Sequence, residues 1–181
     1  MFRALLLSLL IFSSVDAYAA LPSSVSKTIG VKPAKIGDMQ YRKLGFSIYR
    51  ATLWSKDGVY NPDQPYALQI HYLRSLSKST VVESVVGDIK KQKKADDATM
   101  AKWEKTLGKA LPAVKNGDEV VALSEPGKSS RIYFNGKQIA NIADKRLSDS
   151  FFNIWLGDVS DANMRAQLTG TSEKIASKSS H

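Results

Sequence analysis

Alternation of apolar and polar residues predicts two strands early in the chain. Within residues 46–54, one strand face would hold Phe46, Ile48, Arg50, Thr52 and Trp54, and the other Ser47, Tyr49, Ala51 and Leu53. Because both faces are largely apolar, we predict a central strand that is covered on both sides. Residues 66–73 alternate in the same way and predict a second strand. Residues 20–35, which contain Pro and several Ser, are expected to form a loose leader.

A helix is predicted after these two strands. Apolar residues recur at the spacing of one buried helix stripe at Val82, Val85, Val86 and Ile89. Thr80 and Glu83 have the spacing of a capping box at the start of this helix. The lysine-rich run at 90–94 would lie in its last turn, where cations interact favourably with the helix dipole.

A second helix is predicted by Met100, Trp103 and Leu107, with Asp96 or Asp97 as its cap. A strand is predicted after the Asn116-Gly117 turn, and a hairpin around Asn135-Gly136. Two helices would close the chain. The first would bury Leu147, Phe151, Ile154 and Trp155; Ser160 would cap the second, with Val159 and Met164 as a hydrophobic staple. This order predicts an α+β fold with an antiparallel sheet and helices on one face.

The first 19 residues are typical of a signal peptide. They combine Arg3, a short apolar run and the small-x-small sequence Ala17-Tyr18-Ala19. The alternative, a membrane anchor, fits less well because the apolar run is too short to span a bilayer. We therefore expect cleavage after about Ala19, and a periplasmic or secreted protein with one domain at 36–170 and a disordered tail at 171–181.

Composition narrows the function classes. The chain has no Cys, so disulfides and thiol chemistry are excluded, and its formal net charge is +9. No nucleic-acid recognition motif accompanies the charge, so we expect no nucleic-acid partner. The charge suits solubility or peripheral contact with an anionic membrane.

Catalytic and metal-binding patterns are largely missing. The two His are His71, in a predicted strand, and His181 at the terminus, and there is no nucleophile elbow to make His71 a triad base. The sequence has no paired His or Cys ligands for zinc and no phosphate-binding Gly-rich loop, so no metal or cofactor is expected.

Aromatic residues are the remaining chemical signal. They are ordinary core or the wall of an apolar pocket, and the pattern leaves both open. The rings in question are Tyr49, Tyr72, Tyr133, Trp54, Trp103, Trp155, Phe151 and Phe152. Arg50, Arg131 and Asn153 are candidates for the polar end of such a pocket. A buried Arg50 on a central strand would need an anion, which makes it the first candidate for holding a carboxylate.

Several motifs in this order resemble the bacterial chalcone isomerase-like proteins. They are "YRKLGFSIYRATLW", "YALQIHYLRSLS", "LPAVKNGDEV", "RIYFNGKQIANIADKRLSDSFFNIWLG" and "SDANMRAQLTG". The resemblance covers about residues 36–170. It implies an open-faced β-sandwich, in which a large antiparallel sheet carries helices on one face. The family includes plant chalcone isomerases and non-catalytic fatty-acid-binding relatives, and it needs no cofactor.

The isomerase residues carry over poorly. The catalytic Arg of the plant enzymes would fall near Gly37, and their strand Thr near Tyr49. The helix that should supply Tyr, Lys and Asn reads "KKQKKADDATMAKWEK", which has Lys alone of the three.

The resemblance therefore implies a non-catalytic protein that binds a fatty acid or a similar hydrophobic ligand. From the residues themselves, we predict that Arg50, Tyr49, Tyr72, Asn153 and Trp155 bind it. The alternatives are an intramolecular lyase acting on a chalcone-like enone, and an interaction module at a membrane surface.

Overall fold

A computed structural model describes residues 20–171, which form one antiparallel sheet of six strands and five helices. The strands are β1 (Ala34–Lys43), β2 (Phe46–Ser55), β3 (Tyr66–Tyr72), β4 (Glu119–Ser124), β5 (Ser130–Phe134) and β6 (Lys137–Ile142). The helices are α1 (Ser23–Ile29), α2 (Lys78–Lys91), α3 (Asp97–Ala110), α4 (Lys145–Leu156) and α5 (Ala162–Thr169). The strands lie in the sheet in chain order. This is the predicted α+β fold.

The strand register assigns side chains to the two faces of the sheet. Tyr49 pairs with Tyr72 and Ala51 with Ile70, so these four lie on one face, which we call the helix face. Arg50, between Tyr49 and Ala51, pairs with His71 and belongs to the opposite face.

The main core fills the space between the helix face and helices α2 to α5. Its fully buried members include Leu53 and Leu68 from the sheet and Leu107, Leu147 and Phe151 from the helices. All three positions predicted for α3 and three of the four predicted for α4 are buried here, as their spacing indicated.

Helix α1 packs on the opposite face of the sheet, so the helices are not confined to one side. Val25 and Ile29 join a smaller core with Ala67, Val121 and Leu123. The segment expected to be a loose leader therefore contains a helix, because two apolar residues four apart cover this end of the sheet. It also contains the start of β1, a strand that the sequence pattern did not predict.

Three local expectations about helix starts are wrong. Helix α2 begins after Ser77, whose hydroxyl accepts the backbone N–H of Thr80, so Thr80 is not the cap. Its buried stripe consequently starts at Val81. Helix α5 is capped by Asp161 and not by Ser160, which moves the staple positions away from Val159 and Met164. Asp96 caps α3, one of the two predicted alternatives.

The expected signal peptide at 1–19 and residues 172–181 of the expected tail lie outside the described residues. Their assignment, the cleavage site and the domain boundaries stay predictions. No helix within 20–171 combines the length and apolar character needed to cross a membrane.

Candidate functional site

A cleft of about 550 Å³ lies between one end of the sheet and helices α2, α4 and α5. Its walls are mostly apolar, and the apolar lining residues are Ile48, Ile70, Leu76, Val81, Val85, Leu111, Pro112, Val120, Phe151, Ile154, Trp155, Val159 and Met164. The volume falls within the range of roughly 300–1,000 Å³ that is typical of small-molecule sites. The space is therefore not filled by the protein's own rings.

A bulge in β2 changes which side chains line the sheet side of this cleft. Tyr41 pairs with Tyr49 and Arg42 with Ser47, which leaves Ile48 as an extra residue in β2. A bulge interrupts strict alternation. Ile48 and Tyr49 accordingly both line the cleft, although simple alternation assigned them to opposite faces.

Three tyrosines form an aromatic wall on the sheet side. The rings of Tyr41 and Tyr49 stack with their centroids 5.0 Å apart, and Tyr72 meets Tyr49 edge-on at 6.0 Å. Burial raises the pKa of Tyr72 to about 12. Burial also raises the pKa of Tyr49 well above its usual value. Both phenols are therefore neutral at physiological pH and can donate hydrogen bonds into the cleft.

Helix α4 supplies the opposite wall and fixes Tyr49. Asp144 caps the helix by accepting the backbone N–H of Leu147 at 3.1 Å. Trp155, one helical turn beyond Phe151, donates its indole N–H to the Tyr49 hydroxyl oxygen at 2.9 Å. Trp155 is only 4% exposed, so this bond joins helix to sheet deep in the cleft. Because the Tyr49 oxygen accepts this bond, the Tyr49 hydroxyl hydrogen can donate to another acceptor.

Charged side chains lie at the rim of the cleft. Lys43 from the end of β1 and Lys91 from the end of α2 supply positive charge, and Glu83, Asp88 and Asp161 supply negative charge. Lys91 pairs with Asp88 at 2.6 Å. Lys43 makes no ion pair with any residue of the part that the structure describes. Lys43 is thus the rim cation that is not already neutralised.

The structure separates the five predicted binding residues into three places. Tyr49, Tyr72 and Trp155 line the cleft together. Asn153 lines a second cavity of about 440 Å³, beside Tyr66 and Arg146. Arg50 lies on the sheet face opposite the cleft.

Arg50 therefore does not share a pocket with Tyr49, which corrects the expected grouping. It pairs in register with Gln40 on one side and His71 on the other, and His71 pairs in turn with Glu119. These side chains form a polar row across the opposite face. Burial raises the pKa of Glu119, which accepts a hydrogen bond from Gln69 at 2.7 Å. Arg50 therefore does not direct its charge into the cleft.

Arg131, the other candidate for a polar end, is also outside the cleft. Its guanidinium pairs with Glu125 at 2.8 Å and donates to Thr28 of α1 at 2.9 Å. These contacts hold α1 on the sheet, so Arg131 has a structural role.

The position that resembles the site of the catalytic Arg has no room for a side chain. A Cβ atom built on Gly37 would lie 2.0 Å from the carbonyl oxygen of Gln167 in α5. Helix α5 thus packs directly on the backbone of β1 here, and no Arg can replace Gly37 without displacing it.

Tyr41 and Lys43 are among the cleft residues that sequence reasoning missed. Both lie on β1, which was not predicted as a strand because residues 34–43 mix small, charged and apolar side chains. The signal that was available is the two-residue segment Leu44-Gly45. It separates two runs with strand-forming residues at the length of a tight hairpin.

Comparison with known proteins places these features in a wider context. The family model described as chalcone isomerase-like matches residues 41–170. The crystal structure of a fatty-acid binding protein from Arabidopsis thaliana superimposes with a TM-score of 0.58 and 14% sequence identity, covering 82% of this chain and 92% of that chain. A search of curated proteins gives no significant match. Within residues 20–171 no cluster of His, Cys, Asp or Glu is suited to hold a metal ion.

Proposed function

Because the chain belongs to the chalcone isomerase-like family, we propose that it is a non-catalytic carrier that binds a fatty acid or a similar hydrophobic ligand in the cleft between sheet and helices. The observation that carries the proposal is the open space of about 550 Å³ under the helical layer, with apolar walls and a few polar groups. The plant protein that shares the fold is described as a fatty-acid binding protein.

We assign the ligand carboxylate to the rim and not to the interior. The inner wall of the cleft offers neutral phenols and apolar side chains, and burying a carboxylate there without a cation would be costly. Lys43 provides a cation at the rim, beside Tyr41. The apolar chain of the ligand would then extend inward past Tyr72 and Trp155.

A steric variant tests the site. Ser84 is exposed on α2 and lines the cleft, so Ser84→Trp should fill part of it without disturbing the fold. We expect this variant to bind a fluorescent fatty acid at least about tenfold more weakly than wild type does. The matched control is Ser24→Trp, an exposed site on α1 at the other face of the sheet. Equal binding by both variants and wild type would contradict the assignment.

Two charge variants test the carboxylate position. Lys43→Gln should weaken binding of the acid by about two- to fivefold, as expected for an exposed ion pair, and leave binding of the matching fatty alcohol unchanged. Arg50→Gln should change neither. If instead Arg50→Gln weakens binding of the acid alone and Lys43→Gln has no effect, Arg50 is the carboxylate partner.

The alternative function, an intramolecular lyase acting on a chalcone-like enone, is favoured by one observation. Three phenols, those of Tyr41, Tyr49 and Tyr72, face one apolar cleft and can act as hydrogen-bond donors. A direct assay with chalcones distinguishes the two functions. A rate above spontaneous cyclisation that falls in Tyr49→Phe would favour the lyase, and its absence would favour the carrier.

We further propose that the protein is exported and acts in the periplasm or outside the cell. The support is the sequence pattern of residues 1–19. Mass spectrometry of protein from the periplasmic fraction should give a chain that begins at about Ala20. A chain that retains Met1 and stays in the cytoplasm would contradict the proposal.

A further inference from the structure

The β1–β2 hairpin presents apolar and basic side chains at its exposed end. We define the hairpin tip as residues 42–46 together with Arg74, whose guanidinium lies 4.3 Å from the centre of the Phe46 ring. Leu44 is 89% exposed and Phe46 is 54% exposed. The sequence has no acidic residue between Asp38 and Asp57, so the tip is purely basic along the chain.

Turn chemistry does not account for Leu44. The two residues of the turn, Leu44 and Gly45, have φ angles of 51° and 81°. The β5–β6 hairpin has the same two-residue turn, at Asn135 and Gly136, with φ angles of 46° and 82°. Asn-Gly is the preferred pair for this geometry, whereas a large apolar residue is disfavoured at positive φ. Leu44 therefore costs backbone free energy and gains almost no burial within the described structure.

The tip adjoins the rim of the cleft. Lys43 belongs to both, and Val159, which is 60% exposed, lines the cleft as well. An exposed apolar residue flanked by cations is suited to a surface that has negative charge outside and hydrocarbon beneath. The formal net charge of +9 adds a general attraction to such a surface.

We propose that the hairpin tip docks on an anionic lipid bilayer, with Leu44 and Phe46 entering the interface and Arg42, Lys43 and Arg74 contacting the head groups. Docking in this orientation would bring the rim of the cleft to the lipid surface, where an apolar ligand could enter or leave without crossing water. Only this transfer step rests on the proposed carrier function.

Cosedimentation with vesicles tests the docking. Wild type should bind vesicles of phosphatidylcholine with phosphatidylglycerol, and much less those of phosphatidylcholine alone. Leu44→Asn and Arg42→Gln should each lower the partition by about five- to tenfold. The matched controls are Val31→Asn and Lys32→Gln, exposed positions before the far end of β1, about 30 Å away by strand rise. They should bind as wild type does.

Leu44→Asn also separates docking from folding, because Asn suits the left-handed turn position. Its melting temperature should equal or exceed that of wild type. A clearly lower value would make Leu44 a structural residue and overturn the proposal. So would undiminished vesicle binding by Leu44→Asn, which would leave only diffuse charge attraction. A concentration-dependent dimer that Leu44→Asn abolishes would assign the tip to a second copy of the chain and overturn it too.

Failure of this proposal is distinguishable from failure of the carrier function. In the absence of vesicles, Leu44→Asn should bind the fluorescent fatty acid as tightly as wild type does, since Leu44 is not part of the cleft lining. Vesicle binding without fatty-acid binding would refute the carrier alone. Fatty-acid binding without vesicle binding would refute the docking alone.

Discussion

The contact between Gly37 and helix α5 gives a sharp stability prediction. In Gly37→Ala the new Cβ would lie 2.0 Å from the Gln167 carbonyl oxygen and 2.8 Å from that of Leu168. Ordinary van der Waals contact begins at 3.4 Å, so α5 would have to retreat by more than 1 Å. Inserting one methyl group into a packed site costs about 1–3 kcal/mol, and losing the burial of Leu168 adds about 1.5–3 kcal/mol. We therefore expect a loss of about 3–5 kcal/mol, a large share of the roughly 5–15 kcal/mol typical of a domain.

Urea unfolding followed by tryptophan fluorescence measures this loss. The matched control is Gly108→Ala in helix α3, where an added Cβ meets nothing within 4 Å. Because Gly disfavours helix interiors, Gly108→Ala should gain about 0.5–1 kcal/mol. Met164 of α5 lines the cleft, so Gly37→Ala should also weaken fatty-acid binding. If Gly37→Ala unfolds within about 0.5 kcal/mol of wild type, the direct packing of α5 on β1 is refuted.

Three further predictions concern single contacts. The pKa of Tyr72 is raised by burial from 10.0 to about 12, so the folded state holds this proton more tightly than the unfolded chain. The resulting stability is present below pH 10 and is lost as the pH rises to about 12. In urea unfolding between pH 10 and about 12, Tyr72→Phe should lose about 2–3 kcal/mol less of its free energy of unfolding than wild type does. Parallel plots of the free energy of unfolding against pH would contradict this. Trp155→Phe should cost about 0.5–1.5 kcal/mol through its bond to Tyr49, with a smaller effect in a Tyr49→Phe background; full additivity would refute the coupling. Asp96→Ala should lower the urea midpoint, since its carboxylate accepts the Thr99 N–H at 2.7 Å, whereas Asp97→Ala, which leaves that cap in place, should lower it less; equal midpoints would contradict the cap.

Periodicity was enough to predict most elements of the fold. Helix α4 is an example, because Leu147, Phe151 and Trp155 recur at the spacing of one face and are all buried. Strand β1 was missed, because it is an edge strand in which Met39 alone is buried and shows no clear alternation. The caps at Ser77 and Asp161 were misplaced by a few residues, since several polar residues precede each helix and only the backbone geometry selects one.

The candidate site was predicted in part for a related reason. Aromatic residues indicated a pocket or a core, and both are present: Phe152 is core, while Tyr49 and Trp155 line the cleft. Arg50 was grouped with Tyr49 because the two are adjacent in the sequence. Adjacent residues of a strand point to opposite faces of the sheet, so Arg50 lies on the face away from the cleft. Strand alternation also assigned Ile48 wrongly to the face of Arg50, because the bulge at Ile48 depends on pairing with β1, which had not been recognised.

The two register shifts of the β1–β2 pair differ in what packs against them. Near Gly37 the register shifts by one residue at Ile36, and α5 packs directly on the backbone of β1. Near Tyr41 the register shifts again at Ile48, and Tyr41, Ile48 and Tyr49 all line the cleft. Both shifts lie in the pairing of the edge strand β1 with β2. Substitutions of Tyr41 and Lys43, which lie away from Gly37, can therefore change the volume and rim charge of the cleft, so the family fold by itself does not determine the ligand.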